Sequence, residues 1–470
     1  MSAPMQVPLS APPSEPAESF DWPVAFQAEN VLRTHVERFL QNNLWSNRLA
    51  QRMRSETGTD FFEWIDHLVL PVEEEKALRS SGFVTANVET YRGGLILEHP
   101  RATLPRVKIE KGQSACPACL ALRVASVADF VQAHGLNAPI EGAPFSRLRR
   151  TVGNRDNGTV VEVLERNSYR GFVPAPLHPV DLKNIIHSRD IWRTRRRHWN
   201  VDAQGFAATT ELLEQISQSI GCDLTCQLFF EAERRYWELR NRAAQIQKQR
   251  QDRLGLGWGN HDHHTYRCSR EHFMDLIQFL LRLGFQRRER YYAGEEAGWG
   301  AQISEQQNAG IVVFADVDLM PQEVEVDFSN QRLPSSPRLG TVGLWVALHG
   351  ESFLEAGMHH LEARFDFDAV RDQWLQEGVQ SMKPFSNFEF LRQAFTEAER
   401  WPVRRERAER LRDAGLITAR QFEQFTTEGA LGSHLENLQR HGGFKGFNQK
   451  SVSAIISATD PRKNLQTAAA

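Results

Sequence analysis

Three histidines and an aspartate fall within four residues, His261-Asp262-His263-His264, and Arg267 follows four residues after His263. Neutral imidazole is a common metal ligand, and guanidinium grips carboxylates in a planar fork. The stretch from Trp258 to Arg267 is predicted as a loop entering a short strand. Side chains on a strand alternate between faces, so His263, Thr265 and Arg267 share one face and would enter one cavity. His264 takes the other face, and His261 precedes the strand. An anion held beside a metal is the chemistry this spacing suits. A polar loop with surplus histidines accounts for the same residues, and the stretch by itself does not separate the two. The amphipathic segment Glu271–Leu283, closed by Gly284 and Phe285, predicts a helix and a turn behind the strand.

The positioning elements must come from a chain of 470 residues, long enough for two or three domains. Hydrophobic content is 41%, charged content 24% and net charge −3, an ordinary globular composition that argues against a polyanion-binding protein. No apolar run has spanning length, so no membrane partner is expected. Residues 1–20 lack a basic start and an apolar core; a disordered tail is expected there, not a signal peptide. Five cysteines fit a reducing cytoplasm better than a disulfide scaffold. Cys116 and Cys119 form one C-x-x-C without a second pair at zinc-ribbon spacing, and Cys222 and Cys226 sit one helical turn apart, so buried thiols are the simpler expectation. Nothing in the sequence specifies an oligomeric state.

The expected order is a helix over residues 21–57, a first module over 58–175, a helical connector over 176–257, a second module over 258–366, and a helical region with a C-terminal segment over 367–470. Phe61–Leu70 reads as a strand centred on His67, followed by a helix ending at Gly82 and several short strands to Lys111. Leu120–Val124 reads as a strand, Val127–His134 as a helix, and Ser146–Glu165 as strands around Gly153–Gly158. That is a β-α-β-β-β pattern given twice. Thr341–Leu348 reads as a strand, and Asp368–Glu377 and Phe388–Ala398 as helices.

Paired β-α-β-β-β units resemble the vicinal-oxygen-chelate superfamily, in which the first strand of a module gives a histidine and the last a glutamate to a metal in an incomplete barrel. The resemblance implies an α+β fold of two such modules with helical insertions. Ile65-Asp-His-Leu68 fits the first position. Arg155-Asp-Asn-Gly-Thr-Val-Val-Glu-Val163 resembles the glyoxalase-type ending, whose ligand stands four residues beyond the glycine, here Glu162. Glu165 falls on the opposite strand face. The second module offers His263 but no convincing glutamate at its end, so one shared site of His67, Glu162 and His263 is expected. Two histidines and one carboxylate form the facial triad of non-haem Fe(II) oxygenases.

Within that superfamily the chain resembles the 2-oxoadipate dioxygenase/decarboxylase (hydroxyglutarate synthase) family. The resemblance rests on His263 with Arg267, the helix and Gly-Phe turn behind them, Tyr291-Tyr-Ala-Gly-Glu-Glu-Ala-Gly-Trp-Gly300, and Val452-Ser453-Ala454. In the family the His-x-x-x-Arg module comes first; here it comes second. The resemblance implies Fe(II) as cofactor, O2 and a 2-oxo acid such as 2-oxoadipate as substrates, and a 2-hydroxy acid such as 2-hydroxyglutarate as product. It implies Arg267 as the catalytic and substrate-binding arginine, with Val452 and Ser453 fixing the substrate's other end. Two further readings stay open: another metal-dependent chelate reaction (lyase, isomerase or ring cleavage), and a non-catalytic binding protein using the basic run Arg193–Arg197. Internal ion pairing is the simpler account of that run, which argues against a nucleic-acid partner.

Overall fold

A computed structural model describes residues 22–90, 94–110, 118–174, 179–292, 298–323, 326–448 and 460–462. Its frame is a β-α-β-β-β unit used four times. After α1 (Phe26–Asn42) and α2 (Leu44–Arg52), the first unit is β1 (Ile65–Pro71), α3 (Glu75–Ser80), β2 (Val84–Thr85), β3 (Leu95–Glu98) and β4 (Arg106–Glu110). The second is β5 (Ala118–Arg123), α4 (Val127–Ala133), an isolated bridge at Glu141, β6 (Leu148–Asp156) and β7 (Thr159–Arg166). Four connecting helices follow: α5 (Pro179–Thr194), α6 (Asp202–Ile220), α7 (Cys222–Glu238) and α8 (Arg242–Asp252).

The third unit is β8 (His261–Arg267), α9 (Phe273–Arg282), β9 (Gln286–Tyr292), β10 (Trp299–Gln306) and β11 (Ile311–Asp318). Helix α10 (Thr341–His349) intervenes. The fourth unit is β12 (His360–Arg364), α11 (Phe367–Gln376), β13 (Ser386–Phe388), β14 (Leu391–Phe395) and, after an excursion, β17 (His434–Arg440). The excursion holds a small ribbon of β15 (Arg400–Trp401) and β16 (Ala430–Leu431) around α12 (Arg405–Asp413) and α13 (Ala419–Thr427).

In every unit the first and last strands pair in parallel: β1 with β4, β5 with β7, β8 with β11, β12 with β17. Units then join through antiparallel first strands, β1 with β5 and β8 with β12. Among the described residues this gives two large sheets, ordered β2-β3-β4-β1-β5-β7-β6 and β13-β14-β17-β12-β8-β11-β10-β9, in an α+β fold with no closed barrel.

One local device closes the helix of each unit. The amide of the residue after a positive-φ glycine bonds back five residues: Phe83 to Leu78, Leu136 to Val131, Phe285 to Leu280 and Val379 to Trp374, across Gly82, Gly135, Gly284 and Gly378. This is the Schellman stop, where glycine takes the left-handed conformation and an apolar pair covers the turn. Each sheet has its own core. Leu32, Val36, Phe130 and Val161 pack in one cluster with the first sheet, and Phe229, Phe230, Phe279 and Tyr266 in another on the outer face of the second.

Several expected elements differ. Thr341–His349 is helix α10, not a strand; its run is buried all round, so it shows no helical stripe. Phe388–Ala398 carries good helix formers but forms β13 and β14, because pairing with β17 overrides local preference. Residues 367–440 therefore complete the second sheet and are not only helical. The helix expected over residues 21–57 breaks at Asn43, whose side chain caps α2 by accepting from the Ser46 amide. In the basic run, Arg195 and Arg197 are buried against Glu233 at 3.0 and 2.6 Å, which makes them packing residues, while Arg193 and Arg196 stay exposed. Among the described residues no helix is long and apolar enough to cross a membrane.

Candidate metal centre

Strand β8 carries His263, Thr265 and Arg267 on its inner face as alternation requires, while His264 and Tyr266 turn outward against Phe230 of α7. On β12 the inward residues are His360 and Glu362, and on β17 Glu436. Register places His263, Glu362 and Glu436 in one row across the three strands, with His360 opposite Thr265 in the next. His263, His360 and Glu436 are all buried, and their ligand atoms lie within 4.8 Å of one another.

The contacts around these groups are close and specific. The His360 Nε2 stands 3.1 Å from Glu436 and 2.9 Å from the Thr265 hydroxyl. The Glu362 carboxylate meets His263 Nδ1, and the Gln393 amide donates to both Glu362 and Glu436, at 3.2 and 3.1 Å. A second group, Asp262 with His263 and Glu362, has similar spacing. Asp262, however, is already neutralised by Arg364 at 3.0 Å and Arg440 at 3.1 Å.

Electrostatics fit a cation at the first group. Burial, with the Arg267 charge, pushes His360 down to about 3, so its imidazole is neutral and can offer a lone pair. Burial raises the Glu436 carboxyl well above its ordinary value, and burial with the Glu436 charge pushes Glu362 up to about 8. Two buried carboxyls beside the neutral His360 imidazole form a donor set short of positive charge. A divalent ion suits it, and a carboxylate on a ligand imidazole is a common supporting contact.

Arg267 stands two residues beyond Thr265 on the same wall. It is 1% exposed, and among the described residues its Nε and Nη1 have no hydrogen-bond partner. Burial lowers its guanidinium to about 10, with Asp316, Asp318 and Asp460 acting against the shift. Asp316, its register partner on β11, is pushed up to about 7 by burial against the pull of Arg267. His263, His360, Glu436, Arg267 and Asp316 line one cavity, walled mostly by aromatic rings including Trp299, Phe314, Phe395 and Phe447.

The expected shared site of His67, Glu162 and His263 does not form. His67 and Glu162 belong to the first sheet and line a different cavity. His67 Nδ1 is held by Asp66 at 2.8 Å, and Glu162 is partly exposed, 3.9 Å from Arg150. Among the described residues both metal-type clusters contain His263, and neither contains His67 or Glu162. Arg267 pairs with neither Glu162 nor Glu165; the latter is held by Arg149 at 2.8 Å. Val452 and Ser453 lie outside the described residues.

The two expected residues nevertheless sit at meaningful positions. Across the first sheet, His67, Ala121 and Glu162 occupy one row on β1, β5 and β7. Across the second, His263, Glu362 and Glu436 occupy the matching row. His67 and Glu162 thus match His263 and Glu436 in position, while the clustered donors stand in the second copy. The sequence reading missed His360, Glu362 and Glu436 because the fourth unit was not recognised. The signal was present in Asp366, which caps α11, and in Trp374 with Gly378 and Val379, the same helix stop seen three times before.

No family model and no curated protein matches the sequence. Several solved structures resemble the chain. A Shewanella frigidimarina protein assigned as a hydrolase is 15% identical, covers 47% of this chain and 97% of its own, and has a TM-score of 0.34. A triple variant of 4-hydroxymandelate synthase from Streptomyces coelicolor is 13% identical, covers 85% of this chain and 99% of its own, and scores 0.29. Methylmalonyl-CoA epimerase from Mycobacterium tuberculosis is 14% identical over 39% of this chain and 88% of its own, and scores 0.21.

Proposed function

We propose that this chain is a metal-dependent oxygenase and decarboxylase acting on a 2-oxo acid, with Fe(II) held by His263, His360 and Glu436. One observation carries the reading: two imidazoles and a carboxylate converge within 4.8 Å beside a buried guanidinium that has unpartnered nitrogens. Iron held by these three residues would supply the redox chemistry for a reaction of a 2-oxo acid with oxygen.

The chain's own residues orient the substrate and keep water out. Arg267 grips a carboxylate of the substrate in a two-pronged contact, at a fixed place on the wall that carries the ligand histidine. Asp316, half-protonated near pH 7 and increasingly protonated below it, competes only in part for the Arg267 charge that would meet that carboxylate. Glu362 orients His263, and Gln393 holds Glu362 and Glu436 in place. The aromatic wall excludes bulk water, which strengthens every polar contact inside. The spacing of His263 and Arg267 supports the 2-oxoadipate family resemblance. On that resemblance 2-oxoadipate is the proposed substrate and 2-hydroxyglutarate the product, with Val452 and Ser453 at the far end.

The test is turnover by the Fe(II)-loaded chain with 2-oxoadipate and shorter 2-oxo acids, following oxygen uptake and carbon dioxide release together. Equal uptake and release is expected. Stoichiometric zinc or nickel with no oxygen uptake would overturn the oxygenase reading in favour of a lyase or isomerase.

A further inference from the structure

Between the two sheets lies another cavity, of about 280 Å³. Its walls use matching positions of the two copies. The register that pairs His67 with His263 also pairs Asp66 with Asp262, Arg123 with Arg364, and Arg166 with Arg440. All six line the cavity.

The copies differ in how their charges are met. In the second, Asp262 holds both Arg364 and Arg440, and Glu63 adds to Arg364 at 3.4 Å. In the first, Asp66 holds Arg166 at 2.6 Å and is 3.5 Å from Arg106. Arg123 is left over. Among the described residues its guanidinium makes no hydrogen bond and no ion pair. It is half-buried; Asp66, already holding Arg166, attracts it from beyond ion-pair distance, and Arg166 and Arg364 repel it. Beside it the chain passes at Gly310, where even a Cβ would come within 3.4 Å of Nη1. Eight cationic side chains face five carboxylates around this cavity; Arg170 and Arg288 are met from outside it by Glu98 and Glu289, and Arg123 is not.

A guanidinium with free donors, among other guanidiniums and in a cleft wide enough for several atoms, is a receptor for an oxyanion. We propose that the cavity between the sheets binds one small oxyanion, a carboxylate or a phosphate, on the Arg123 guanidinium, with the second sheet's arginines facing it. Bound there, the anion neutralises the surplus charge of the first copy and ties the two sheets together. Burial also lowers the Arg123 and Arg106 guanidiniums, as expected where counter-charge is short.

The experiment titrates inorganic phosphate and, separately, succinate into the purified full chain at constant ionic strength, by calorimetry and thermal melting. One or both should bind at one per chain and raise Tm; which of them does so identifies the source chemistry. Arg123→Gln should weaken that binding at least tenfold, and Arg123→Lys should weaken it as well, because lysine lacks the fork. Arg267→Gln, at the metal centre, should leave a phosphate or succinate site of this kind in place. Without anion, Arg123→Gln should melt at or above the wild-type temperature, because it relieves repulsion and breaks no contact. The proposal fails if neither anion binds the wild type, or if Arg123→Gln binds equally well. It also fails if that variant is less stable or does not fold without anion, which would make Arg123 a packing residue.

Discussion

The first and second sheets share a scaffold and differ in what they hang on it. His67 and Glu162 in one match His263 and Glu436 in the other. Between them the first sheet has Ala121 and Cys119 where the second has Glu362 and His360. It has Pro71 where the second has Arg267, and Lys108 where the second has Phe314. The repeated fold supplies positions; on the proposed reading, a second imidazole, a buried guanidinium and an aromatic wall are what make a metal centre of them in the second sheet. The first copy has Cys119 in place of His360 and Pro71 in place of Arg267, and its cavity is lined by two cations, Lys108 and Arg150.

The largest effect expected from breaking this asymmetry is on metal. His360→Ala or Glu436→Ala should cost metal affinity at least a hundredfold, since a three-ligand site has no spare donor. His67→Ala and Glu162→Ala should leave metal content unchanged. Equal loss in both pairs, by metal analysis of the purified variants, would mean that the copies act together.

A smaller effect is expected at Arg267. Arg267→Lys keeps charge but loses the planar fork, which should cost about 2–4 kcal/mol, or roughly 30- to 1,000-fold in kcat/KM. Metal content and Tm should stay near wild type. A variant with normal turnover toward every 2-oxo acid tested would remove Arg267 from the substrate site.

The smallest effect concerns how the ends of the chain are tied. Glu29 of α1 accepts from the Gly443 amide beyond β17 and pairs with Arg33 and His441. Burial alone would raise this carboxyl, but His441 and Arg33 hold it down to about 2. A depressed carboxyl stabilises the fold above its unfolded pKa of 4.5, and that stability is lost as pH falls from there toward about 2. Glu29→Gln should therefore cost on the order of 1–3 kcal/mol near neutrality. The Tm gap to wild type should close by about pH 2. A gap that is constant with pH would show that the tie is not ionic.

Much of this arrangement was legible in the sequence. Alternation along β8 put His263 and Arg267 on one wall, and the repeated helix stops at Gly82, Gly135 and Gly284 marked three units. The fourth unit was harder to read. Its last strand, β17, is separated from β14 by the excursion through α12 and α13, so its strands do not follow one another in sequence. Its β14 is written in helix-forming residues that only cross-strand pairing overrides. Glu436 could not be assigned until that strand was placed beside β12. Local pattern gives the faces of an element; which strands become neighbours is a tertiary fact.

On the proposed reading, only the second of the two copies holds the metal. Diffraction from crystals grown with Fe(II), recorded on both sides of the iron absorption edge, locates the ion directly. A single anomalous peak between β8, β12 and β17, within bonding distance of His263, His360 and Glu436, is the predicted result. A peak between β1, β5 and β7, at His67 and Glu162, would contradict it.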